Sequence, residues 1–140
     1  MRHFTVVVAT LALSLAGSVF EAGRLLAEQG EGKMPPGVQT GKLASGTVVL
    51  TDAKGMTLYT NQKDSAGKSV CNDQCAKNWP PLMAPADAKP MGDWTVVSRD
   101  DGTKQWAYKS RPLYTWIKDT KPGEATGHGV GNGAWEQAVP

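Results

Sequence analysis

Leu58-Tyr59-Thr60-Asn61-Gln62-Lys63-Asp64 and Leu113-Tyr114-Thr115-Trp116-Ile117-Lys118-Asp119 are one phrase written twice, 55 residues apart. Five of the seven positions are identical, and Trp79 and Trp135 follow at nearly the same offset. Two copies are too few for a solenoid array. They suit a single pseudo-symmetric domain in which each half offers a strand, a turn and a tryptophan.

Working outward from these phrases, the flanking segments read as short strands. Thr47-Val48-Val49-Leu50-Thr51 is β-branched and apolar, a composition that favours a pleated, half-buried surface. Asp52-Ala53-Lys54-Gly55 is a turn signal, so Met56 to Thr60 is expected to return as the second strand of a hairpin. Trp94 to Ser98 and Lys104 to Tyr108 form a second pair around Asp101-Gly102, two residues that tolerate positive φ. Ser110-Arg111-Pro112 then turns the chain into Leu113 to Trp116, and a last strand is expected at Trp135. The single helical candidate is Cys71 to about Asn78, capped from Ser69 or Asn72 and stopped by Pro80-Pro81. The pattern predicts a mainly β (β-rich α+β) fold. Its form is a small antiparallel meander or sandwich of two pseudo-repeats with one short Cys-bearing helix.

Composition agrees with that class. The chain has 140 residues, 40% of them hydrophobic and 20% charged, with net charge +2. Those values describe one globular domain, neither disordered nor multi-domain. No basic tract is dense enough to track a phosphate backbone, so nucleic acid is not an expected partner. Sixteen Gly, nine Pro and five Trp favour turns and short strands over long helices.

The first residues read as an address. Met1-Arg2-His3 is a short basic start, and Phe4 to Ala16 is almost wholly apolar. A run of about 13 apolar residues suits a signal-peptide core and is too short for the roughly 20 that span a bilayer. A signal peptide is therefore expected at 1–18, a flexible Gly- and Pro-containing leader at 19–44, and the folded domain at 45–140. Leu15-Ala16-Gly17 would precede a lipid-bearing cysteine in a bacterial lipoprotein, but Ser18 stands there. The thioether needs a sulfur, so the expectation is a soluble periplasmic or secreted protein with no lipid anchor and no stable membrane span after cleavage.

Tyr-x4-Asp occurs at Tyr59/Asp64 and Tyr114/Asp119, and Cys71-x3-Cys75-Ala76 runs into Trp79-Pro80-Pro81-Leu82. Gln105-Trp106-x-Tyr108 and Pro112-Leu113-Tyr114 complete the set. The combination resembles bacterial secreted repeat proteins and predicted lipoproteins with a Tyr-x-(Phe/Trp/Tyr)-x-x-Asp motif. The resemblance covers about 46–135. Asn61 departs from the motif's aromatic position, whereas Trp116 fits it. No activity comes with the resemblance.

Two uses of Tyr59, Asp64, Tyr114, Trp116 and Asp119 stand open at this point. In one, each Asp accepts backbone N–H bonds in the turn after the strand while Tyr packs inward with its hydroxyl satisfied. In the other, Tyr, Trp116 and Asp line a groove for a sugar or peptide. Nothing in the spacing makes the two Asp residues an acid/base pair. Cys71 and Cys75, in an exported chain, are expected to form a disulfide. Their i, i+4 spacing puts Cβ atoms about 5–6 Å apart in a regular helix, against the roughly 3.8 Å a disulfide wants, so the helix must distort. The alternative is copper or thiol-redox chemistry through Cys71 and Cys75, with Met83, Met91 or His128 completing a soft set. With one His left after signal cleavage, a Ser/His/Asp catalytic set is not expected. The expectation is a non-enzymatic envelope module without a cofactor, binding an unknown glycan or protein.

Overall fold

A computed structural model describes residues 33–140. The expected signal peptide at 1–18 and the leader as far as 32 lie outside the described residues.

The described chain runs through β1 (Gln39–Lys42), β2 (Val48–Thr51), β3 (Tyr59–Asn61), α1 (Gln74–Asn78) and β4 (Met83–Ala84). It continues through β5 (Trp94–Ser98), β6 (Lys104–Tyr108), β7 (Arg111–Pro112) and β8 (Trp135–Gln137). All ladder pairings are antiparallel: β1 with β2, β3 with β8, and a sheet in the order β4-β6-β5 with β7 also on β6. The expected β-rich class with one short helix is the observed one. The β5–β6 pair sets Trp94 opposite Tyr108 and Ser98 opposite Lys104. Its corner closes through Gly102, whose N–H donates to Arg99 O at 3.0 Å from a φ of 85°.

Three local expectations are corrected. Gln39–Lys42, assigned to the leader, is a strand: Gly41 and Lys42 face Val49 and Val48 across the β1–β2 ladder. Gly37 and Gly46, at φ 86° and 93°, are turn residues that flank β1, and Pro35 is fully buried. The second half of the first hairpin is the next difference. Met56 to Thr60 touches β2 only briefly, at a Thr51–Thr57 bridge and a Leu58 N–H to Leu50 O bond of 2.9 Å. Tyr59 onward belongs to β8. Finally, α1 begins at Gln74 rather than Cys71. Asp73 stands before it at φ 53° with no side-chain cap, and the Ser69 hydroxyl accepts Cys71 N–H at 3.3 Å, ahead of the helix.

Two cores result. One gathers Leu50, Leu58, Trp94, Trp106 and Leu113. The other gathers Tyr59, Tyr114, Trp79, Trp135 and Cys71. Trp79, Trp94, Trp106 and Trp135 are all buried, and Trp116 is half-buried.

The repeats are related by hydrogen bonds that occur in pairs. Leu58 N–H donates to Leu50 O at 2.9 Å, and Leu113 N–H to Trp106 O at 3.1 Å. Ala138 N–H reaches Leu58 O, and Leu82 N–H reaches Leu113 O, both at 2.8 Å. In each pair of the second kind the donor lies at the end of one repeat and the acceptor in the other. The closing strands are therefore exchanged: β8 completes the sheet of the first repeat, while Pro81, Leu82 and β4 join Tyr114, Leu113 and β6 of the second. Among the described residues no helix is long and apolar enough to cross a membrane.

Candidate functional site

Tyr59 and Tyr114 meet where the repeats cross. Each donates its backbone N–H to the other's carbonyl, at 2.8 and 3.0 Å. Their rings lie edge-on to Trp79 and Trp135, at centroid distances of 5.3 and 5.0 Å. The two indoles stack face to face at 3.8 Å with 2° between planes. Trp116 covers Trp79 at 3.9 Å and 24°, so one stack of three indoles runs through the second core.

The hydroxyls carry the exchange further. Tyr59 Oη–H donates to Asp119 Oδ2 at 2.5 Å, and Tyr114 Oη–H donates to Asp64 Oδ2 at 2.6 Å. Each tyrosine thus serves the aspartate of the opposite repeat, although both occur in the same short motif. The remaining carboxylate oxygens fix turns: Asp64 Oδ1 accepts Val70 N–H, and Asp119 Oδ1 accepts Thr126 N–H, both at 2.9 Å. Burial, and then the bond to the neighbouring carboxylate, push both tyrosine hydroxyls well above their ordinary range. Burial also raises the Asp64 carboxyl, against the opposing effect of Tyr114 and the Val70 amide. A tyrosine held protonated beside a carboxylate is a donor and not a nucleophile. Each aspartate is committed to the tyrosine of the opposite repeat and to a turn amide, Asp119 also to the Thr126 hydroxyl at 2.6 Å, and no hydrogen bond joins the two.

Sequence reasoning missed the group behind Tyr114. Its hydroxyl lies 2.6 Å from Ser69 Oγ. Arg99, only 6% exposed, donates to Ser69 Oγ, Gln105 Oε1 and Cys71 O at 3.0, 2.8 and 2.6 Å. Gln105 Nε2 donates onward to Leu113 O at 2.7 Å. Standing just before Asp100-Asp101-Gly102, Arg99 reads in the sequence as part of a solvated turn. The one available signal is its position at the end of a strand that opens on a buried Trp.

Cys71 and Cys75 form a disulfide with Cα atoms 5.2 Å apart. Cys71 precedes the helix instead of sitting one turn back on it, which removes the geometric conflict of a bridge within a regular helix. The soft-ligand set of the copper alternative is not gathered. Both sulfurs are bonded to each other, Met91 packs with the Trp94 core, Met83 is exposed on β4, and His128 Nδ1 accepts Gln137 N–H at 3.2 Å. Trp116 keeps some exposure, with Lys118 Nζ over its ring at 5.6 Å. Tyr59 and Tyr114 are wholly buried, so a ligand does not reach their rings. Asn61, the departure from the aromatic position, is buried opposite Trp135 and caps its turn by accepting Lys63 N–H at 3.0 Å.

A small antiparallel domain of two copies, each closed by the other and joined through a paired Tyr–Asp lock, is the class this geometry defines. The chain belongs to the family described as a secreted repeat of unknown function, whose profile matches residues 40–83 and 95–138. The matched stretches begin 55 residues apart, as the two phrases do. Searches of curated proteins and of solved structures returned no match.

Proposed function

We propose that this protein is an exported, non-enzymatic module of the cell envelope. Its motif residues act as the lock of the scaffold and its ligand binds outside that lock. One observation carries the proposal: the tyrosines and aspartates that define the motif are bonded to one another across the repeats, with both tyrosines and Asp119 buried and Asp64 half-buried. Groups so placed hold a shape. They do not turn over a substrate, and the module needs no cofactor for this work. The N-terminal address directs the chain across the inner membrane to the periplasm or beyond, with Ser18 leaving it without a lipid anchor.

Pull-down of envelope fractions by the purified exported protein tests the proposal, with Trp116→Ala as one control. Capture of an envelope polymer or protein is the expected result. No capture from any fraction, or turnover of a substrate lost on mutating Asp64 or Asp119, overturns it. The mass of the exported protein locates the cleavage point, and a chain retaining residues 1–18 overturns the route of export.

A further inference from the structure

The corner between β6 and β7 is built differently in the two repeats. The first repeat turns the equivalent corner through Asp52-Ala53-Lys54-Gly55. There Asp52 Oδ1 accepts the amides of Lys54 and Met56 at 2.9 and 3.0 Å, and the positive φ of 80° falls on Gly55. The second repeat turns through Lys109 and Ser110, at φ 49° and 67°, with no glycine. Two successive non-glycine residues in the left-handed region are disfavoured, and such a two-residue turn ordinarily takes Asn-Gly. The surroundings hold this one in place: Lys109 N–H donates to Asp93 O at 2.8 Å, and Gly67 N–H donates to Ser110 O at 3.1 Å. Strain so maintained at a surface turn motivates a search for function there.

What the turn presents is charge. Lys109, Ser110 and Arg111 are exposed. Among the described residues the one ion pair is Lys68–Asp100, so neither Lys109 nor Arg111 has a carboxylate within ion-pair distance. The turn is also the shared wall of two depressions, of about 120 and 240 Å³. Asp64, Ser65 and Ala66 line the smaller, while Tyr108, Glu136 and Gln137 line the larger.

We propose that Lys109, Arg111 and these two depressions bind an acidic glycan; this rests on the envelope-module function and gives it a ligand class. A guanidinium takes a sugar carboxylate through two parallel hydrogen bonds, and the Lys109 ammonium supplies a second positive point. Glu136 and Gln137 offer acceptors and donors suited to sugar hydroxyls. Polyphosphate carries the charge without the sugar hydroxyls that Glu136 and Gln137 can bond. An Asn-Gly corner would form the same turn with less strain and would carry no cation at its tip.

Titration of the full exported protein with oligogalacturonate tests this, with dextran oligomers and polyphosphate as the other arms. Oligogalacturonate is expected to bind, and to bind more weakly as salt rises. Lys109→Ala with Arg111→Ala is expected to lose at least about tenfold in affinity, with the thermal midpoint retained. Lys109→Asn with Ser110→Gly is expected to raise the thermal midpoint while weakening binding, and Trp116→Ala to leave binding intact. Absence of oligogalacturonate binding, undiminished binding by the alanine pair, or equal affinity for polyphosphate overturns the acidic-glycan site. An unchanged midpoint in the Asn-Gly variant overturns the strain on which it stands. Envelope capture that persists in the alanine pair sinks this site and leaves the module standing; capture absent from the unaltered protein sinks the module itself.

Discussion

Replacing either motif tyrosine by phenylalanine removes one hydroxyl and with it one of the donors to a carboxylate of the opposite repeat. A hydrogen bond to a charged group contributes about 1.5–3 kcal/mol, so Tyr59→Phe and Tyr114→Phe should each destabilise by that order in a urea melt. Double-mutant cycles separate the exchanged pairing from pairing within a motif. Tyr59→Phe with Asp119→Asn should show a coupling of roughly 0.5–3 kcal/mol, whereas Tyr59→Phe with Asp64→Asn should add to within about 0.5 kcal/mol. The reverse result would mean that each tyrosine serves its own motif. Asp64 carries a pH signature as well. Burial raises its folded pKa, so folding favours the protonated form. That contribution is full below the unfolded value of about 3.9 and is lost as pH rises through the folded value. The stability gap between the unaltered protein and Asp64→Asn should therefore narrow as pH climbs from the acid side toward neutrality. Exposed Asp100, lowered by its bond to Lys68, acts in the opposite sense in both proteins and cancels from the difference.

At the scale of elements, the tightest joint is the Gly-rich segment against the indole stack. A Cβ on Gly127 would lie 2.6 Å from the Trp79 ring and 3.1 Å from Trp116. Gly127→Ala is expected to cost about 1–3 kcal/mol, typical of overpacking, and to alter the near-ultraviolet dichroism of the stacked indoles. An unchanged spectrum and melting curve would show that the stack can yield there. Strands were readable where they stood alone: Trp94–Ser98 and Lys104–Tyr108 follow from β-branched and alternating residues around Asp101-Gly102. The phrase Leu-Tyr-Thr was readable as a repeat. The identity of its partner was not, because Tyr-x4-Asp spacing says nothing about which aspartate a hydroxyl reaches once two copies fold together. Arg99 escaped for a related reason. Its burial depends on Ser69 and the Cys71 carbonyl arriving from one distant segment and on Gln105 across its own hairpin, and no local pattern announces that.

For the molecule as a whole, the exchange of closing strands makes each repeat dependent on the other and the connection between them dispensable to the contacts. Pro85, Ala86 and Asp87, in the segment joining the repeats, are exposed. A protease site placed between Ala86 and Asp87, cleaved after folding, should leave two halves that co-elute on size exclusion. Their thermal midpoint should depend on concentration, as association by mass action requires. Halves that separate on cutting would show that the contacts alone do not suffice.

The same dependence bears on symmetry. A chain of one repeat would have nothing to close its sheet except the last strand of another copy, so half-length chains could complete this fold only as a symmetric pair. Two copies in one chain are free to differ. Cys71 and Cys75 stand in one alone, and Trp116, Gly127 and the cationic corner in the other, differences that a homodimer would be forced to carry twice.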